Sequence, residues 1–216
     1  MTRPAGDADR RLIQAALALI PETGLSELSV RRVAARAKVN LGMFHYHFGT
    51  KQKFSRRLLE ELYETFFIRL TGAVEHAGGA SPRDRLRGAI LAAARFVREH
   101  RPLLLALVRD LLAGNEEVIA FARANFPRHI VLLVRLVRDA QRAGQLRRMP
   151  LPKILPLLFV NAFGPIMAES VILRILPAGF RELPRHLLGP FLSSDGAIEE
   201  RVDFMLAALG PERGNP

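Results

Sequence analysis

The sequence has no cysteine and no tryptophan, and only two tyrosines. Without thiols there are neither disulfides nor thiolate metal sites. A cytoplasmic location is the default expectation. A long uninterrupted apolar run is also missing. The most apolar stretch, LPLLFVNAFGPIMAESVILRIL from Leu155 to Leu176, contains Pro156, Asn161, Pro165, Glu169 and Arg174. It reads as a buried helix and not as a membrane span, so no membrane partner is expected. The opening MTRPAGDADRR is polar and lacks the apolar segment of a secretory signal. No strand alternation is visible. A Ser-His-Asp set, a Gly-rich phosphate loop and a His/Glu metal spacing are absent too. Catalysis, a bound metal and a cofactor are therefore not expected. His76, His100, His129 and His186 are scattered and solitary, and read as surface or cap residues.

What is present is apolar material and positive charge. Hydrophobic residues make up 49% of 216, enough for a sizeable core. The net charge is +11. Residues 1–57 hold 11 Lys/Arg against 4 Asp/Glu, so most of the excess lies in the first quarter of the chain. Codon bias accounts for 28 of the 32 basic residues being Arg, but not for their clustering. A local basic excess points to a polyanionic partner.

Helical periodicity runs throughout. A first helix is expected from about Asp9 to Ile20, interrupted by Pro21 and ended by Gly24. Ser29 is a good N-cap for a second helix with Val30, Val33, Ala34 and Ala37 as its apolar stripe. Lys38-Val39 is a turn, and Asn40 caps a short third helix, Leu41 to Phe48. Thr50 caps a long fourth helix reaching about His76. Ser81-Pro82 opens a fifth helix to about His100, and Pro102 a sixth ending near Gly114. Glu116 to Asn125 and Pro127 to Ala143 read as two segments. QLRRMPLP is a linker. Pro152 to Leu176 is a long apolar helix bent at Gly164-Pro165, residues 177–194 look irregular, and Asp195 caps a last helix. The fold class is all-α, with nine to ten helices.

The segment KVNLGMFHYHFGTK, Lys38 to Lys51, carries the chemistry. At about 100° per residue, Leu41, Phe44 and Phe48 share one side of a helix, and Gly42, Met43, Tyr46 and His47 the other, with His45 on the flank. Two short helices joined by a tight turn, the second offering such a face, form a helix-turn-helix. Such a helix fits the DNA major groove: Met43 can pack on a thymine methyl, Tyr46 and His47 can bond phosphates or base edges, and Arg31 can reach guanine. Lys51 and Ser29, at helix N-termini, suit phosphates. Metal binding by His45 and His47 is the poorer reading, because residues i and i+2 diverge by about 200° on a helix. A purely structural aromatic cluster leaves Tyr46 and His47 without a stripe to join.

From about Arg10 to Leu59 the sequence resembles the TetR family of bacterial transcriptional regulators. The likeness rests on the first helix ending in Gly24, on Ser-Val-x-x-Val-Ala at Ser29–Ala34, and on Tyr46-His47-Phe48-Gly49-Thr50-Lys51. It implies a homodimer that binds a palindromic operator on double-stranded DNA, as a repressor released by a small molecule. By matched position, Ser29, Arg31, Asn40, Leu41, Gly42, Met43, His45, Tyr46, His47 and Lys51 face DNA. Three positions depart from the family pattern. Lys38 stands where Gly is usual and must adopt a left-handed backbone or another turn. His45 replaces a Tyr, and Pro21 falls within the first helix.

The expected organisation is a DNA-binding domain at 1–57 and an effector-binding and dimerisation domain at 58–216. An apolar or amphipathic effector is expected against Phe66, Phe96, Leu103, Phe126, Phe163 and Met167, with Asn161 or Glu169 as polar anchors. Glu169 and Arg174 are expected to pair with each other or across the interface. The dimer face is read as Ile154, Leu157, Leu158, Ile198, Val202, Met205, Leu206 and Leu209. An all-helical small-molecule or lipid-binding protein or enzyme not acting on DNA is the alternative, and a binder using charge alone is a third reading.

Overall fold

The computed structural model describes residues 5–77, 79–175 and 191–211. Among the described residues the chain is all-helical. The helices are α1 (Ala5–Thr23), α2 (Val30–Ala37), α3 (Leu41–Phe48), α4 (Lys51–His76), α5 (Pro82–Glu99), α6 (Arg101–Leu112), α7 (Glu116–Arg142), α8 (Leu151–Ile175) and α9 (Asp195–Ala208).

Caps set most starts. Ser29 accepts from the Arg32 amide and Asn40 from the Gly42 amide. Thr50 Oγ1 accepts from the Lys53 amide at 3.2 Å, and Ser81 Oγ from the Asp84 amide at 3.2 Å. Each satisfies an amide that the first helical turn leaves open. The cap of α9 is Ser194 and not Asp195.

Prolines end fewer helices than the sequence indicates. Helix α1 continues through Pro21 to Thr23, and α7 runs unbroken through Pro127 where two segments were expected. Helix α8 contains both Pro156 and Pro165. An interior proline costs about 3 kcal/mol. Burying one large aliphatic side chain contributes about 1.5–3 kcal/mol. With Ile154, Leu158, Ala162 and Ile166 buried along α8, the stripe outweighs a proline. Of the stretch expected to be irregular, residues 177–190 lie outside the described residues.

Contacts group the chain into two compact units. Unit 1 is Met1–Thr65 with Pro102–Phe126, and unit 2 is Phe66–Arg101 with Pro127–Pro216. Unit 1 therefore includes most of α6 and the first part of α7. Its core holds Leu12, Ile20, Leu25, Val33, Phe44, Phe54 and Leu58. Unit 2 packs α5, α8 and α9 with the second part of α7 around Leu86, Ile90, Val137, Ile154, Ile166, Ile198 and Val202. Ion pairs between α5 and α9 frame that core: Arg87 with Asp203, Arg95 with Asp195 and Glu199, and Arg98 with Asp195.

Helix α8 is not the buried helix its composition suggests. From Leu151 to Glu169 it is long and apolar enough to cross a membrane by length and composition, and only 22% of that window is buried within the chain. Leu157, Val160, Val171 and Ile175 are exposed, with Val160 at 66% and Ile175 at 73%. Together with Gly164 and Ala168 they recur at three- and four-residue steps, forming one outward apolar stripe opposite the buried one.

Candidate nucleic-acid interface

The site is built from the α2–turn–α3 segment of unit 1. Helix α2 buries Val33, Ala34 and Ala37 and leaves Arg31, Arg32 and Arg36 exposed. Arg32 lies 3.5 Å from Glu22, so among the described residues Arg31 and Arg36 are the cations of this helix without an acidic partner. Lys38 takes the left-handed backbone, φ 52° and ψ 46°, and ends α2. The amide of Lys38 donates to Ala35 O at 3.1 Å and that of Val39 to Ala34 O at 3.0 Å, which closes the turn. Arg11 of α1 holds the same corner. Its guanidinium donates to the carbonyls of Ala37 and Lys38, with Nε to Ala37 O at 3.0 Å. A cation on the open carbonyls of a helix C-terminus is favourable.

Helix α3 is anchored by one side. Phe44 is fully buried, with its ring 5.5 Å from Phe48 and 4.9 Å from Phe54. Phe48 and Phe54 meet edge-on at 4.8 Å. The other side is open: Tyr46 is 78% exposed, and Gly42, His45 and Asn40 are exposed. Leu41 and Met43 are half-buried at its edges. His45 is committed locally, its Nδ1 3.1 Å from Gly49 O. His47 departs from the outward reading. It is half-buried, its ring is edge-on to Tyr46 at 5.3 Å, and Nε2 is covered without a hydrogen-bond partner. Lys51 departs too, since its Nζ donates to Ser26 O at 2.6 Å. Ser29 remains half-buried at the start of α2. The structure thus collects the ten expected residues around one segment, with Tyr46 and Arg31 the most freely presented.

Three positioning residues escaped the sequence reading. Arg11 is one. The others hold the α1–α2 loop from α6 and the start of α7. Buried Asp110 accepts from the Leu25 amide at 2.6 Å and from Ser26 Oγ at 3.1 Å, and Asn115 Nδ2 donates to Ser26 Oγ at 2.8 Å. Gly24 (φ 77°) passes so close that an added Cβ would lie 2.8 Å from Asp110 Oδ1. The available signal was Asp110 itself, an acid in register with Leu103 and Ala106 on the buried stripe of α6.

The other expected sites fare differently. Seven of the eight dimer-face residues, Ile154, Leu158, Ile198, Val202, Met205, Leu206 and Leu209, are core of unit 2 and have almost no surface to offer a partner; Leu157 alone is exposed, at 42%. Of the effector set, Phe66 and Phe96 pack at 5.2 Å as core in unit 2. Phe163 stacks edge-on with Phe159 at 4.8 Å, and Met167 is half-buried. Asn161 is exposed and its amide donates to Leu157 O of its own helix. In unit 1, Leu103 is buried and Phe126 is 48% exposed. Glu169 pairs with Arg101, and the side chain of Arg174, its expected partner, lies outside the described residues. His129 is buried against Phe66 and is no surface residue. His76 is exposed, and His100 is half-buried, stacked on Phe96. His186 lies outside the described residues.

Residues 12–58 match the family of bacterial regulatory proteins, tetR family. The chain is 30% identical over 103 residues to the transcriptional repressor KstR2 of Mycobacterium tuberculosis, covering 46% of this chain and 50% of the relative. It is 20% identical over 166 residues to YttP of Bacillus subtilis, described as a probable HTH-type transcriptional regulator, covering 77% and 80%. Among solved structures, the ketosteroid regulator KstR2 of Mycobacterium tuberculosis aligns with TM-score 0.67 at 19% identity over 94% of this chain and 96% of that one. FadR of Bacillus subtilis, in complex with stearoyl-CoA, aligns with TM-score 0.70 at 14% identity over 92% and 97%. These two likenesses establish the shared fold. With the helix-turn-helix in place on that fold, residues 12–58 carry a domain of the tetR family of bacterial regulatory proteins.

Proposed function

We propose that the chain is a DNA-binding repressor that recognises a palindromic operator as a homodimer and is released by an apolar or amphipathic small molecule. The observation that carries the reading is Tyr46, 78% exposed on a helix whose opposite side is locked by fully buried Phe44. A large aromatic held out on a rigid rod serves contact with a partner, not stability. Arg31, exposed one turn into α2 and without an acidic partner among the described residues, adds a fork for guanine or phosphate. The first 57 residues supply a +7 field that attracts the duplex.

Dimerisation uses the outward stripe of α8, Leu157, Val160, Gly164, Ala168, Val171 and Ile175, together with Phe204 of α9, 77% exposed. An apolar stripe of this length in water calls for a cover. Asn161 on the stripe and the Arg101–Glu169 ion pair beside the helix suit a protein partner better than lipid. The ligand is read from the aliphatic composition of unit 2, and the similarity to FadR, whose structure holds stearoyl-CoA, supports an amphipathic effector. The site of action is the cytoplasm, where operator DNA is.

Selection of bound fragments from genomic DNA tests the reading directly. A recurring inverted repeat is the expected result, and only length-dependent, sequence-independent capture overturns it. On that operator, Tyr46→Ala is expected to weaken binding by about tenfold, one good contact being worth roughly 1–3 kcal/mol. The thermal midpoint stays unchanged, since the side chain packs on so little. Equal affinity in a gel shift would remove Tyr46 from the interface.

A further inference from the structure

Outside residues 1–57 the positive charge is concentrated in one place. Residues 135–153 hold six Lys/Arg and one Asp, whereas the rest of 58–216 is close to neutral at −1. These residues belong to unit 2. Here the end of α7 and the linker border an open cleft of about 490 Å³ lined by Arg138, Gln141, Arg142, Arg148, Met149 and Pro150.

The cleft is built on an ordered linker. Gln141 Nε2 donates to Arg147 O and Met149 O, both at 3.0 Å. The Arg147 amide donates to Leu209 O at 2.9 Å, and Leu146 is buried. Arg148 is thereby held at the wall by backbone that cannot swing freely. The cations differ from their neighbours. Arg87, Arg95, Arg98 and Arg101 of unit 2 are neutralised by acids. Among the described residues Arg138 and Arg148 have no acidic partner, and Arg142 is 3.3 Å from Asp139 with its side chain 76% exposed.

We infer that this cleft binds a small phosphorylated anion carrying two or more negative charges, such as an organic diphosphate. Guanidinium forks match phosphate oxygens in pairs, and Arg138 and Arg148, with Arg142 and its partner Asp139 beside them, leave a net charge of about two to balance a diphosphate. The volume falls in the range of small-ligand sites. Met149 and Pro150 supply an apolar shelf for an attached ring or chain. A nucleic-acid backbone is the poorer occupant: it needs a continued basic track, and Arg87, Arg95 and Arg98 of α5 are already paired with acids of α9. The cleft residues share no member with the DNA-facing set.

Isothermal titration of the full-length protein at low salt, with ADP and with inorganic pyrophosphate, tests the inference. Saturable binding of both is expected, lost as salt rises. Arg138→Gln with Arg148→Gln should weaken it roughly thirtyfold, and Lys at both positions should restore part of it. Arg56→Gln with Arg123→Gln, which removes two exposed charges elsewhere, should leave it unchanged. Uncharged adenosine should not bind. Absence of saturable binding, equal loss in both double variants, or an effect of Arg138 and Arg148 confined to random-sequence duplex would each overturn the proposal. Operator affinity of the Arg138/Arg148 variant, measured separately, keeps this result distinct from the reading of Tyr46.

Discussion

Lys38 shows how a single residue reveals its own constraint. Its side chain occupies a left-handed position where glycine is free of steric cost, and the structure gives it φ 52°. Lys38→Gly is therefore expected to stabilise unit 1 by about 1 kcal/mol, read as a higher urea midpoint with operator affinity retained; a lower midpoint would mean that the lysine stem supports the turn. His129 could not be read the same way. Nothing local distinguishes it from an exposed histidine, yet burial lowers its pKa from 6.5 to about 4. The ring is neutral in the fold while the unfolded chain protonates near its ordinary value. Stability should hold above about pH 6.5, fall as the pH drops towards 4, and level off below. Urea unfolding across that window should show the slope, and His129→Gln should flatten it. An unaltered slope would assign the acid sensitivity to other groups.

At the scale of elements, the short helices were legible and the long ones less so. Ser29, Asn40 and Ser81 cap the helices their types and positions indicated, because a cap acts within three residues. Prolines misled, since Pro21 and Pro127 sit inside helices sustained by buried stripes. Helix α8 misled differently. It is apolar on two faces, and periodicity cannot say which of two apolar stripes is inside. Ile154 and Leu158 went to the core, while Leu157 and Val160 stayed out. Val160→Glu is accordingly expected to leave the helical content intact and to shift the protein from dimer to monomer in analytical ultracentrifugation. Persistence of the dimer would place the interface elsewhere.

At the scale of the molecule, α4 runs through both units, which are otherwise assembled from segments distant in sequence. Helix α6 and the first part of α7 group with the DNA-reading helices, and Asp110 and Asn115 pin the loop before α2. A functional boundary at 57/58 thus remains a proposal about roles, while packing follows another line. If two copies read a palindrome, the half-sites must present the same face of the duplex, about one helical turn apart. Inserting roughly five base pairs, half a turn, between them should abolish tight binding, and roughly ten should restore much of it. Tolerance of the half-turn insertion would argue for independent monomers.

The sequence by itself determined the helical class, the helix-turn-helix with its inward Phe44 and outward Tyr46, and the concentration of charge at the front of the chain. All of these depend on residues within a turn or two of one another, where caps and periodicity act. Only the tertiary structure decided which stripe of α8 is core, that Lys51 and His47 turn away from the open face, and that Arg11, Asp110 and Asn115 hold the reading head. The contacts of Arg11, Lys51, Asp110 and Asn115 join residues 25 to 89 apart, and the proximity of such partners is created by packing.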